Sequence, residues 1–559
     1  MNEMLRPLLL TAMVAGLTAC GGGGGGGGSP SANDGGGAVA HGAAPEAKSG
    51  AEAGELVCSG NRCRLADGAN QAVGSMYRFY NDSHLERELV VSGLSPAIWH
   101  AVSTKVSGAG VAAGELSLRQ EEKDAGPREP DYQAEHAELS AIYAQKAPAQ
   151  RLKLGQGARR EAPVAYAPGE EKTWFDSIHE NDVATTLRTK RALPGGASVH
   201  VWTENGAGVS ARQADFLAER FAGSVYPLEV SLLGQPWGVV GNPVFAGFTI
   251  PADTRDVHIV VTPLRAQGNA AGLMGYVWSG NALRNLCTED AKPCQKYQRS
   301  NAALAVFLSS EVLARSAAGE EWHERSQGAG EALSTLAHEF SHLFYSYNKR
   351  YKPAVPVKVE TWEDEMFAQS IAYLVLADTF GGGRGAGRDA HPDLRPRADF
   401  ERALDFVPCD FSRWNGASSC YPKALALGAL MVHQYGHQLF RPWLESQNPG
   451  AQAVSEGLRA AGGAGYADML ERYAGTMLSA GAANVAGRYG YPAKRVVLPG
   501  SPLLPQGREI QLPGIALSAD KPLIPMDGQY DTSKQFSYIG NGIWTLRVPA
   551  NSWITLTKR

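Results

Sequence analysis

Apolar residues recur at helical spacing from Leu333 through Leu336, Ala337, Phe340, Leu343 and Phe344 to Tyr347. That spacing predicts one long helix with its stripe against a core. A second run, Met366, Phe367, Ala368, Ile371, Ala372, Leu374 and Val375, predicts a helix that opens at Thr361 and ends near Asp378. Ala211, Phe216, Leu217 and Phe221 predict a shorter helix over residues 210–221, and Leu425, Leu427, Leu430, Met431 and Val432 a further one ended by Gly436. Elsewhere the pattern is that of strands: residues 75–80, 88–91, 199–202, 257–261 and 301–309, and near the end 510–512, 536–538, 544–548 and 553–557. The expected fold is therefore α+β: a sheet with helices packed on it over residues 185–485, flanked by a β-rich N-terminal domain (55–184, with a charged, Pro-rich insertion) and a separate β-rich C-terminal module (486–559).

Composition narrows the partners. The 559 residues are 44% hydrophobic, enough for large cores, and the 52 basic against 56 acidic residues leave a net charge of −4. No basic stripe interleaved with aromatics is present, so nucleic acid is not an expected partner. Beyond the N-terminus no apolar run reaches the roughly 18 residues a spanning helix needs. Residues 1–19 join one Arg to a short apolar run, and Leu17-Thr18-Ala19-Cys20 resembles the lipobox of a bacterial lipoprotein. The resemblance implies a signal peptide over 1–19, acylation of Cys20, a flexible Gly-rich tether over 20–54, and a lipid-anchored location in the cell envelope, at the outer membrane or cell surface. The remaining cysteines, Cys58 and Cys63, Cys287 and Cys294, Cys409 and Cys420, fall into three close pairs. Six cysteines allow 15 connectivities, and three local loops are the simplest for an oxidising compartment.

The candidate chemistry lies in the longest helix. His338-Glu339-Phe340-Ser341-His342 places two imidazoles one turn apart, where both reach one Zn²⁺ ion. Glu339 stands where a carboxylate can take a proton from a water attacking a carbonyl. A third ligand is expected from the following helix, whose start carries Glu360, Glu363, Asp364 and Glu365. His136 and His179 are isolated and read as surface residues. His433 and His437, with no Glu between them, read as structural, the runner-up role for one of them being transition-state stabilisation.

HEFSH followed by TWEDEMFA resembles the gluzincin (thermolysin-like) metallopeptidases, in which a Glu of a following helix completes the zinc site. The resemblance implies a mixed sheet with a helical half over residues 185–485, Glu365 as that ligand, with Glu363 and Asp364 as alternatives, and one zinc per chain. With VSLLGQPWG, MGYVWSGN and SNAALAVFL the stretch is most similar to the hyicolysin family, over about residues 185–480. In gluzincins a strand placed like 301–309 is the edge that pairs with an extended substrate, and zinc histidines pass their second nitrogen to an acceptor, here expected of Gln369 or of a residue not identified. Tyr421, in Tyr421-Pro422-Lys423, is similar to the tyrosine of aminopeptidase-N-like gluzincins and is expected to support the oxyanion, although Ala424 stands where that family has Gly. The G-x-M-E-N string that holds a free amine in metallo-aminopeptidases is not found, which implies endopeptidase action on polypeptides. An aminopeptidase, or a surface adhesin keeping the fold without turnover, is the alternative; the intact Glu339 argues against the adhesin.

Overall fold

The computed structural model describes residues 54–65, 75–95, 98–105, 137–138, 141, 165–243, 245–264, 273–284, 286, 294–316, 318–381, 420–479, 487–515, 538–539 and 542–558. Two hydrophobic cores organise them. The first strands are β1 (Gly54–Ser59), β2 (Arg62–Leu65), β3 (Met76–Asn81), β4 (Arg87–Leu94) and β5 (Ile98–Lys105). They are joined by β14 (Tyr538–Ile539), β15 (Gly542–Val548) and β16 (Ser552–Lys558) into one sheet of order β14-β5-β16-β3-β1-β2-β4-β15. Its core takes Leu56, Tyr77, Leu89, Val91 and Trp99 from the early strands and Trp544, Leu546, Val548, Ile554 and Leu556 from the late ones. The separate C-terminal module expected from the sequence is thus not formed. The alternating strands 544–548 and 553–557 each have one apolar face, and they bury it against β4 and between β3 and β5. The Cys58–Cys63 disulfide closes the β1–β2 turn. Cys294 and Cys420 are also disulfide-bonded, whereas Cys20, Cys287 and Cys409 lie outside the described residues.

The second core holds a six-stranded sheet of order β10-β11-β9-β8-β7-β6. Its strands are β6 (Glu171–Asp176), β7 (Asn181–Ala192), β8 (Ser198–Glu204), β9 (Val257–Thr262), β10 (Gly275–Tyr276) and β11 (Leu304–Ser309). β8, β9 and β11 run parallel, and β6, β7 and β10 are antiparallel to their neighbours. β9 and β11 are buried at every position, as central strands covered on both faces are. The expected boundary at residue 184 falls inside β7, because the β6–β7 hairpin continues this sheet rather than the N-terminal one. Residues 301–309 also differ from expectation: β11 is paired on both sides, so the free edge beside it is β10, β6 being the edge on the far side.

The helices follow in the order α1 (Ala211–Arg220), α2 (Tyr226–Leu233), α3 (Gln327–Ser346), α4 (Thr361–Leu376), α5 (Cys420–Tyr435), α6 (Phe440–Glu445), α7 (Ala451–Ala460) and α8 (Tyr466–Leu478); α1 and α3 pack on this sheet, and α8 packs on β5 and β16. Ser210 caps α1 in a reciprocal box with Gln213. Gly436, at φ +76°, ends α5 where the sequence places its break. The hairpin of β12 (Lys494–Leu498) and β13 (Arg508–Leu512), assigned from sequence to the C-terminal module, buries Val496, Leu498, Ile510 and Leu512 in the helical core instead. Among the described residues no helix is long and apolar enough to cross a membrane. An ion network joins the two cores. Arg78 of β3 reaches Asp468 at 3.2 Å, Arg488 reaches Glu471 at 2.9 Å, and Thr555 of β16 donates to Glu471 at 3.1 Å.

α4 and α5 approach closely at Gly428, where a Cβ would lie 2.1 Å from Ser370 Oγ and 3.2 Å from its Cα. We expect Gly428→Ala to force these helices apart and lower stability by about 1–3 kcal/mol, read by urea unfolding, as overpacked cores do.

Candidate metal and catalytic centre

α3 and α4 cross with His338, His342 and Glu365 facing one another, all nearly inaccessible to solvent. His338 Nε2 lies 3.1 Å from His342 Nε2 and 3.1 Å from Glu365 Oε2, and His342 Nε2 lies 3.9 Å from the same oxygen. The two rings stand at 83° to each other. Zinc bonds of about 2.0–2.1 Å in a tetrahedral shell put neighbouring ligand atoms roughly 3.4 Å apart. The three donors therefore fit a zinc ion. Two imidazole nitrogens and a carboxylate oxygen closing on one point in a buried site form a donor set suited to a cation. Among the described residues this is the single His/Cys/Asp/Glu group with metal-ligand spacing.

The three consecutive acids of α4 take three separate roles, because successive helical side chains point about 100° apart. Glu365 faces the histidines. Asp364 lies behind them, its Oδ1 accepting from His342 Nδ1–H at 2.7 Å, which leaves Nε2 free to ligate. The sequence left this role to Gln369 or to a residue not identified; for His342 it falls to Asp364. A residue four places after Glu365 is one full turn further along, whereas Asp364 sits level with the ring; the signal was the Glu-Asp-Glu run itself. Glu363 turns away into the helical core. It accepts from the Tyr345 hydroxyl, from Gly450 N at 2.6 Å and from Trp443 Nε1 at 3.2 Å, with Lys349 Nζ 3.9 Å off. Burial raises its pKa, opposed by Lys349 and these donors, to about 7.

Burial pulls the His342 ring down, but Asp364, Glu365 and Glu339 outweigh it and push its pKa up to about 10. These carboxylates thus concentrate negative potential at the ring, and a cation between the ligands takes the place of the proton. Glu339 is buried on the neighbouring face of α3. It is met there by the edge strand, since a Cβ on Gly275 would lie 3.0 Å from Glu339 Cγ and 2.6 Å from Thr335 Cγ2. Any larger residue at 275 would push the strand from the carboxylate; the sequence carried this only as one glycine among many. Tyr421, half-buried at the head of α5, has its ring centroid 6.2 Å from that of His338.

The second histidine pair is not brought to this centre. His433 Nδ1 donates to Pro492 O at 2.6 Å and its Nε2 accepts from Tyr373 at 2.7 Å, so the ring ties α5 to α4 and the following segment. Burial lowers its pKa to about 4, which keeps it neutral. His179 is not a free surface residue: its Nδ1 lies 2.6 Å from Asp176 Oδ2. His136 and the Gly-rich stretch 382–389 lie outside the described residues.

The model of a known family, Peptidase M30, matches residues 179–549. No curated protein matches the chain. Among solved structures, an M1 zinc metallopeptidase from Deinococcus radiodurans aligns at 12% identity with a TM-score of 0.26, over 70% of this chain and 62% of that one. Two structures of a two-domain M1 zinc metallopeptidase mutant, bound to L-arginine and to L-tryptophan, align at 12% identity with TM-scores of 0.25. They cover 71% and 70% of this chain and 63% and 62% of theirs. The chain thus spans less than two thirds of the length of each of these structures.

Asp364→Asn keeps the size of the side chain and removes the charge behind His342. We expect zinc affinity to fall by about 10–100-fold, measured by competition with a chelator, with the fold retained.

Proposed function

We propose that this chain, which belongs to the Peptidase M30 family, is a zinc-dependent endopeptidase that takes polypeptides in extended form along the free edge of its six-stranded sheet. The observation that carries this reading is the contact of Gly275, on edge strand β10, with the buried Glu339 beside His338, His342 and Glu365. An edge strand offers unpaired N–H and C=O groups, and a peptide adding to it is held through its backbone. Its scissile carbonyl then lies over Glu339.

His338, His342 and Glu365 would hold the zinc ion, which when bound would supply Lewis-acid chemistry at that carbonyl and at the attacking water. The Glu339 carboxylate takes the proton from the water oxygen as it attacks the carbonyl carbon. It then gives the proton to the departing amine nitrogen. Asp364 holds the His342 ring in the tautomer that ligates. The Tyr421 hydroxyl donates to the oxyanion as its charge develops; the closeness of its ring to His338 supports this role.

Endopeptidase action is supported by Met274-Gly275-Tyr276-Val277, which offers no carboxylate to hold a free amine at the edge. The likeness of HEFSH, WEDEMFA and MGYVWSGN to the hyicolysin family points the same way. We also place the enzyme outside the cytoplasm, anchored by acylated Cys20 and acting on proteins of the envelope or of a host. The Leu17-Thr18-Ala19-Cys20 string and the Cys58–Cys63 disulfide support this placement.

The test uses internally quenched peptides with acetylated N-termini. The wild type is expected to cut them, and Glu339→Gln to keep zinc and lose turnover by about 10²–10⁴-fold, the range for a general base. Wild-type rates in Glu339→Gln would overturn the mechanism. Cleavage confined to peptides with free N-termini would make the protein an aminopeptidase, and zinc binding without any turnover would favour the adhesin.

A further inference from the structure

We propose that Tyr276 is a positioning residue for the substrate: tied to Asp176, it holds β10 at the depth where a bound peptide meets Glu339. The proposal rests on the reading of β10 as the peptide-binding edge. A strand of two residues, paired only as Gly275 with Leu308 and Tyr276 with Phe307, has too short a ladder to fix its own position under load. Something else must hold it, and the β6–β7 hairpin supplies the contact.

Neighbouring side chains of a strand point to opposite faces. Gly275 faces Thr335 and Glu339. Tyr276 points the other way, stacks on Phe307 with centroids 4.7 Å apart, and donates from its hydroxyl to Asp176 Oδ1 at 2.8 Å. The same hydroxyl accepts from Ser177 N–H at 3.2 Å. Asp176 is itself fixed: its Oδ1 also accepts from Ile178 N at 2.9 Å and His179 N at 3.3 Å, and its Oδ2 meets His179 Nδ1 at 2.6 Å. Both Tyr276 and Asp176 are buried, so this charge-assisted bond is not exchanged for water. Burial, reinforced by the Asp176 charge, raises the Tyr276 pKa well above its usual value, so the phenol remains a donor.

A second tie runs alongside. Asn301 accepts from Phe175 N at 2.8 Å and donates to Phe175 O at 2.9 Å, and it also donates to Asn281 Oδ1 at 2.8 Å. Asn281 lies just beyond β10. The end of β6 is therefore bonded to the edge segment at Tyr276 and, through Asn301, again at Asn281. In-out placement of this segment is set from the back of the sheet, and the substrate feels it through the β10 backbone.

The test is Tyr276→Phe, which keeps the stacking ring and removes the hydroxyl. Kinetics are measured on two blocked peptides with the same scissile bond, a long one spanning β10 and a short one that does not. The expected result is a KM raised about tenfold for the long peptide, from loss of a charge-assisted hydrogen bond, with kcat within about twofold. The short peptide should change far less. A long peptidic hydroxamate, titrated calorimetrically into zinc-loaded protein, should weaken by a similar factor and reads the contact without turnover. No change for either peptide, or an equal loss for both with a lowered unfolding midpoint, would overturn the proposal and leave Tyr276 a core residue. If the wild type cuts only free-amine peptides, the endopeptidase reading falls. The same length comparison on free-amine peptides then decides the positioning role, with the same outcomes.

Discussion

The structure depends on holding three electron-rich atoms against one another in a dry interior. His338 Nε2, His342 Nε2 and Glu365 Oε2 crowd lone pairs and negative charge at one point, which a cation between them would offset. The surrounding protein supplies the constraint. α3 offers its two histidines from consecutive turns of a helix buried along most of its length, and α4 is buried on nearly every side. The helices are clamped by contacts with no part in the chemistry: Glu363 ties α4 to α3 through Tyr345 and to the later helices through Trp443 and Gly450. With α4 fixed so, Glu365 is delivered to the two histidines and Asp364 to the ring behind them. The residue that looks most wasteful, a buried Glu with a raised pKa, is what places the other two.

Much of this was legible because the chemistry demands particular residues at particular spacings. Two histidines four apart around a Glu constrain the helix, and the apolar stripe from Leu333 to Tyr347 says which way it faces. The helix at Thr361 and the strands at 199–202 and 257–261 were legible from length and residue type: the strands are short, Val- and Ile-rich runs, and the helix run is too long for a strand. Three consecutive acids left the third ligand open in the residues alone, because composition does not say which faces inward. The answer lies in α4's rotation about its axis, set by Tyr345 of the preceding helix and by Trp443 and Gly450, 80 and 87 residues beyond Glu363.

What the sequence left hidden is long-range pairing. Alternation over 544–548 and 553–557 announces strands but not their partners, and β15 and β16 find theirs in β3, β4 and β5, more than 400 residues earlier. A strand with one apolar face has no local preference between a new module and an old one. The choice is made by the edges of β4, β3 and β5, which would otherwise stand unpaired. The edge strand was concealed for a different reason. Residues 301–309 are long and apolar, as a central strand should be, while β10 is two residues long and has no period to detect.

Closure of the N-terminal sheet by the last strands has a consequence for the catalytic half. Arg78 on β3 and Thr555 on β16 both reach α8, at Asp468 and Glu471, so the ends of the chain grip the same helix. Burial would raise the Asp468 pKa, yet Arg488 and Arg472 hold it below its ordinary value, which marks the cluster as net attractive at neutral pH. α8 carries no catalytic residue, and Tyr491, at 2.9 Å from Ala426 O, and Arg488 link its surroundings to α5. α5 in turn carries Tyr421 beside His338. The β-rich sheet, in which β16 lies between β3 and β5, is therefore linked through polar contacts with the helix that presents the tyrosine.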